Sequence, residues 1–96
     1  VSDADTVDDV GAGGGPAPTA VTVLDHLVRS LVERPDEVRI DVDDSHRRRV
    51  RLDVHVADGD MGRVIGRRGR VAQAIRTVVR AAASRDDVEV DVEFVD

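Results

Sequence analysis

Gly66 and Gly69 bracket a pair of arginines, Arg67 and Arg68, and join two helical patterns through a four-residue corner. No other feature of this chain constrains its fold as much. Glycine permits a tight turn and the close approach of a foreign backbone that a Cβ would block. The helix that follows directs its free N–H groups at the turn, a setting that suits phosphate. A nucleic-acid backbone is the ligand chemistry this suggests. The plainer alternative is a helix–turn–helix corner in which Gly66 is a C-cap and Arg67 and Arg68 are merely solvated.

The apolar pattern on either side changes period along the chain. Residues 20–34 place Leu24, Leu27, Val28, Leu31 and Val32 on one stripe at helical spacing. Thr19 or Thr22 is expected to cap this helix, and Pro35 to stop it. Residues 37–43 alternate, with Val38, Ile40 and Val42 on one side; residues 47–56 alternate again, with Val50, Leu52, Val54 and Val56 inward. With a turn at Asp44-Ser45-His46 these read as a β-hairpin. A short helix opens at Asp58 or Asp60 and ends at Gly66. A longer one runs from about Gly69 to Ser84, with Val71, Ile75, Val78, Val79 and Ala82 on one face. Val88, Val90, Val92 and Phe94 alternate with acids in a last half-buried strand.

The order helix–strand–strand–helix–helix–strand indicates an α+β domain, with a three-stranded sheet and helices packed on one face. On the open face the first and third strands carry mostly acids, whereas the second carries Arg47, Arg49 and Arg51. Opposite charges on neighbouring strands are favourable, so the second strand is expected in the centre.

The net charge of −6 argues against a protein that coats nucleic acid by bulk electrostatics. The distribution is uneven, however. Residues 60–85 hold seven arginines and one aspartate, a balance of +6 that leaves −12 for the remainder. A basic segment therefore sits on an acidic body. Arg47-Arg48-Arg49 is split across two faces by the strand alternation and reads as part of an ion-paired sheet surface. Residues 1–18, with four aspartates and a Gly/Pro-rich run, read as a disordered tail ahead of a domain over 19–96.

Several chemistries find no residues to carry them. There is no cysteine, and the three histidines have no mutual metal spacing, so neither a metal nor a cofactor is expected. No Ser-His-Asp or paired-carboxylate set can be assembled, which argues against an enzyme. Phe94 is the sole aromatic, so the stacking platforms of many RNA-binding sheets are missing. No stretch approaches the roughly 20 apolar residues of a membrane span. The acidic N-terminal stretch does not resemble a secretory signal, and a cytoplasmic location is expected.

Val64-Ile65-Gly66-Arg67-Arg68-Gly69-Arg70-Val71 resembles the signature of the KH domain. The wider run from Gly62 to Thr77, and Leu31-Val32-Glu33-Arg34-Pro35-Asp36-Glu37-Val38, are similar to small stand-alone bacterial KH proteins of the KhpA type. The resemblance covers about residues 20–96 and implies the type II KH topology. It further implies that Gly66, Arg67, Arg68 and Gly69 clamp the sugar-phosphate backbone of single-stranded RNA, over about four nucleotides. By the same resemblance Ile65 and Val71 line an apolar cleft for bases, and Arg63, Arg70 and Arg76 extend the phosphate track. Ile75 reads as core. The chain has arginine where relatives often use lysine, which keeps the charge and permits bidentate phosphate contacts.

The family is linked to RNA chaperoning and to control of cell elongation and division. Its small members are thought to self-associate and to pair with a larger KH-containing protein (KhpB, also called Jag or EloR). The alternative is a protein-interaction adaptor whose KH helices mediate homo- or heterodimerisation without direct RNA binding.

Overall fold

Strict alternation of apolar and polar residues builds the sheet, and the helical stripes cover one side of it. The computed structural model describes residues 15–46 and 48–95. Helix α1 spans Pro18–Leu31, strand β1 Arg39–His46 and strand β2 Arg49–His55. Helix α2, Met61–Ile65, and helix α3, Arg70–Ala83, precede strand β3, Glu89–Phe94. The sheet order is β1-β2-β3, so the arginine-bearing strand is central as its charges indicate. β1 and β2 pair antiparallel and β2 and β3 parallel, which requires the long crossover that α2 and α3 supply.

The inward residues Val50, Leu52, Val54, Val90 and Val92 are buried against Leu24 and Val28 of α1, Val64 of α2, and Ile75 and Val79 of α3. The opposite face is a lattice of ion pairs. Arg49 reaches Asp91 at 2.6 Å and Glu89 at 2.8 Å, Arg51 reaches Asp53 at 3.2 Å, and His55 Nε2 lies 3.0 Å from Asp41. The hydrogen bond to Asp91, then the charges of Asp91 and Glu89, push the Arg49 ionisation up. At the far end of the hairpin, the Ser45 backbone N–H and hydroxyl hold the Asp43 carboxyl below the usual carboxylate range. Such exposed pairs add little stability each, but they satisfy the strand order.

The α1 stripe keeps its expected phase but starts earlier, whereas the α3 stripe keeps Ile75 and Val79 and turns toward Ala72 and Ala83. Ala20, Val21, Leu24 and Val28 are buried in α1, while Leu31 is 38% exposed. In α3 the buried residues are Ala72, Ile75, Val79 and Ala83, and Val78 turns outward at 47% exposure. Alanines at 20, 72 and 83 face inward because α1 and α3 pack on each other and small side chains permit close approach. Apolar bulk alone pointed to the neighbouring stripe. Val42 is likewise 41% exposed, because the helices pack chiefly over β2 and β3 and leave the distal part of β1 uncovered. β1 also continues through Asp44–His46, which the sequence assigned to the turn, with a register irregularity between Asp43 and His46.

The cap of α1 comes from far along the chain. Neither Thr19 nor Thr22 supplies it: Ala17 is the N-cap residue and Pro18 occupies the first helical turn. The Asp86 carboxylate instead accepts the Thr19 N–H at 3.1 Å and the Ala20 N–H at 3.0 Å. A carboxylate there satisfies two orphan donors and meets the positive end of the helix dipole. Asp86→Ala is expected to cost about 1 kcal/mol in urea unfolding, with Asp86→Asn recovering most of it. Ala17 is fully buried, so Ala17 and Pro18, expected in the tail, pack with the domain. Residues 1–14 of that tail, Arg47 and Asp96 lie outside the described residues.

Candidate nucleic-acid interface

The turn between α2 and α3 is built from four residues with three unusual backbones. The five-residue α2 ends at Gly66, whose N–H donates to the Gly62 carbonyl at 2.9 Å. Gly66 has φ 75° and ψ 178°, a region essentially reserved for glycine. A Cβ on Gly66 would run into the Val71 side chain, with Val71 Cβ at 2.7 Å and Val71 N at 3.0 Å. The corner therefore lies flat against the first turn of α3. Arg68 (φ 55°, ψ 26°) and Gly69 (φ 73°, ψ 14°) are both left-handed, which reverses the chain in two residues. The Gly69 N–H donates to Gly66 O at 3.2 Å, and the Arg70 N–H to Arg67 O. The N–H groups of the first α3 turn that follow have no intrahelical acceptor and open onto the corner.

Charge pairing separates the arginines into two sets. Arg29, Arg34, Arg39, Arg48, Arg49, Arg51 and Arg63 each lie within ion-pair distance of a carboxylate. Among the described residues no such pair reaches Arg76, Arg80 or Arg85, nor the three arginines at the corner, Arg67, Arg68 and Arg70. All three are exposed, two in the corner and one at the first position of α3. Three arginines with no carboxylate partner among the described residues thus meet a helix N-terminus at one corner, a setting that suits an anion.

The other expected site residues are distributed differently. Ile65 and Val71 are half-buried and pack against the core beside the corner, so they form its apolar floor. Ile75 is core, at 4% exposure. Arg63, expected on the phosphate track, is held by Glu33 at 3.0 Å and by Asp60 at 3.6 Å. Arg76 lies against β3: its Nε donates to the Val92 carbonyl at 3.1 Å, and its guanidinium carbon sits 5.4 Å from the Phe94 ring centroid.

One residue that sets the corner was read only as a cap. Asp60 occupies the N-cap position of α2 but makes no cap hydrogen bond there. At 3% exposure its carboxylate accepts the backbone N–H groups of Glu33 and Arg34, each at 3.2 Å. Asp60 thereby fastens the start of α2 to the segment leaving α1. The sequence offered Asp58 equally, and nothing in it distinguished the two.

The comparisons with known proteins agree with this geometry. The family model described as "KhpA/KhpB, KH domain" matches residues 21–94. An "RNA-binding protein KhpA" of Halalkalibacterium halodurans is 42% identical over 76 residues, covering 78% of this chain and 97% of that protein. The protein of the same name from Mycobacterium tuberculosis is 47% identical over 72 residues (75% of this chain, 88% of that protein). That from Streptomyces coelicolor is 48% identical over 73 residues (76% and 90%). No solved structure gives a significant match. The match runs through α1, the hairpin, the glycine corner and the crossover to β3, and with it the chain belongs to the KhpA/KhpB KH-domain family.

Proposed function

We propose that this protein binds single-stranded RNA, with Gly66, Arg67, Arg68 and Gly69 clamping the sugar-phosphate backbone. The observation that carries the reading is the set of unpaired arginines, Arg67, Arg68 and Arg70, at a glycine-built helix N-terminus. They stand on a domain whose other sheet and loop arginines are mostly neutralised by acids. Phosphate oxygens fit this corner because guanidinium and backbone N–H groups both donate, and glycine leaves room for the strand. Ile65 and Val71 give the bases an apolar surface beside the clamp. Arg63 extends the track only where phosphate displaces Glu33 from it. With a net acidic body, attraction is local to the strip and binding is salt-sensitive.

A single clamp of this size binds weakly, so self-association or pairing with a larger KH-containing protein raises its effective affinity. A cytoplasmic role in RNA chaperoning or post-transcriptional control, linked to cell elongation and division, fits a low-specificity binder of this kind. No helix among the described residues is long and apolar enough to cross a membrane.

The test is Arg67→Asp with Arg68→Asp, followed by RNA affinity and solution mass on the same sample. Affinity at low salt is expected to fall about 100-fold, with mass unchanged. The slope of log affinity against log salt should shrink by about 1.4, for two phosphate contacts on a single strand. Unchanged RNA binding with altered mass would leave the clamp without support, and no RNA binding by the unaltered chain would favour the dimerisation adaptor.

A further inference from the structure

Arg76 is the arginine whose surroundings least resemble those of a solubilising side chain. Gly69, Gln73, Arg76 and Arg80 follow one another at spacings of four, three and four, and so share one face of α3. Arg76 lies seven residues beyond Gly69, about 10 Å along the helix at 1.5 Å per residue. The face runs beside β3, whose outer edge has no strand partner in the sheet. Further along, Arg80 shares with Val90 and Asp91 a surface cavity of about 430 Å³. Arg76 and Arg80 thus both lie along the free edge of the sheet, on the helix that begins at the glycine corner.

Between the corner and Arg80 the Arg76 guanidinium is held without a carboxylate among the described residues. Its Nε is bound to the Val92 carbonyl and its carbon rests near the Phe94 ring, the one aromatic group of the chain. Among the described residues no hydrogen bond or ion pair occupies Nη1 or Nη2. Arg76 and Phe94 are each half-buried, so part of each surface is open to solvent. A long side chain held this way has already lost its rotamer freedom, and it presents a flat cation next to an aromatic ring. Guanidinium planes and aromatic rings are the two protein surfaces on which unstacked bases settle.

We propose that Arg76 and Phe94 form a base-stacking site, which receives a nucleobase of the strand whose phosphates are held at Gly66–Gly69. This rests on the RNA-clamp reading and adds a base-recognition position to it. Arg76 then contacts a base rather than a phosphate. A purine, with the larger stacking surface, is held better than a pyrimidine, so the protein has a preference at one position and little elsewhere.

The test compares hexa-adenylate, hexa-uridylate and a wholly abasic hexamer of ribose phosphate by fluorescence anisotropy. The proteins are the full chain and its Arg76→Lys, Phe94→Leu and R67D/R68D variants, each checked for folding by circular dichroism. The unaltered chain is expected to bind the adenylate at least about fivefold tighter than the abasic strand, the lower end of single-base stacking. Arg76→Lys keeps the charge and loses the plane. It should bring the adenylate and the uridylate to within about twofold of one another, by weakening the adenylate. Phe94→Leu should do the same. An adenylate preference that survives Arg76→Lys overturns the proposal, because charge alone then accounts for Arg76. Equal binding of all three strands by the unaltered chain, abolished by R67D/R68D, overturns the stacking site and leaves the clamp standing. Failure of the unaltered chain to bind any of the three removes both.

Discussion

Gly66→Ala is expected to lower the unfolding free energy by about 3–4 kcal/mol and to weaken RNA binding in proportion. Two costs combine. At φ 75° and ψ 178° a side chain is forced into a region that only glycine visits freely, worth about 1–3 kcal/mol. The new methyl also meets the Val71 side chain, and overpacking of this kind costs about 1–3 kcal/mol more. Gly69→Ala separates the two effects. Gly69 is left-handed, but nothing lies within 4 Å of the position its Cβ would take. Its substitution should cost only about 1–2 kcal/mol, the ordinary penalty of that conformation. The clash can also be relieved directly: adding Val71→Ala to Gly66→Ala should recover part of the loss. Urea unfolding of the four proteins decides it. Equal losses at Gly66 and Gly69 would mean that Val71 does not press on the corner.

Asp60→Ala should cost a similar amount, about 3 kcal/mol, although the residue lies six positions from the corner. Its removal strands the N–H groups of Glu33 and Arg34, which face a buried carboxylate, and each orphaned donor costs about 1–3 kcal/mol. Arg63 loses its 3.6 Å contact with Asp60 at the same time and keeps only the exposed Glu33. Asp60→Asn leaves one good acceptor and should fall midway. Because Asp60 sets where α2 begins, and α2 delivers Gly66, RNA affinity is expected to drop in Asp60→Ala even below its unfolding midpoint. A loss under 1 kcal/mol would show that water replaces the carboxylate at those two donors.

Much of the architecture was legible before any coordinates. Alternation at 50, 52 and 54 and again at 90 and 92 identified β2 and β3, and the arginines at 49 and 51 placed β2 between two acidic strands. The glycine corner was legible as a break between two helical periods, and Ile65 and Val71 beside it as a floor. What escaped was phase and partnership. Bulk favoured Val78 over Ala83 for the core, yet α1 approaches α3 so closely that alanine is the better fit. Arg63 and Arg76 looked alike as cations on a basic segment, and only their neighbours distinguish them: two carboxylates for one, a carbonyl and a ring for the other.

By itself the sequence determined the elements, their order, the central strand and the place of the corner. These follow from interactions between residues a few positions apart, or from charge matching repeated along whole strands, and both leave a periodic trace. The tertiary structure alone decided that Asp86 caps a helix 66 residues upstream and that Asp60 fastens α2 to the end of α1. It alone turned Arg76 onto the sheet edge. Each of these rests on one or two directional hydrogen bonds between segments distant in the chain. One such bond leaves no period to read, since a lone aspartate or arginine is the same letter wherever its partner lies.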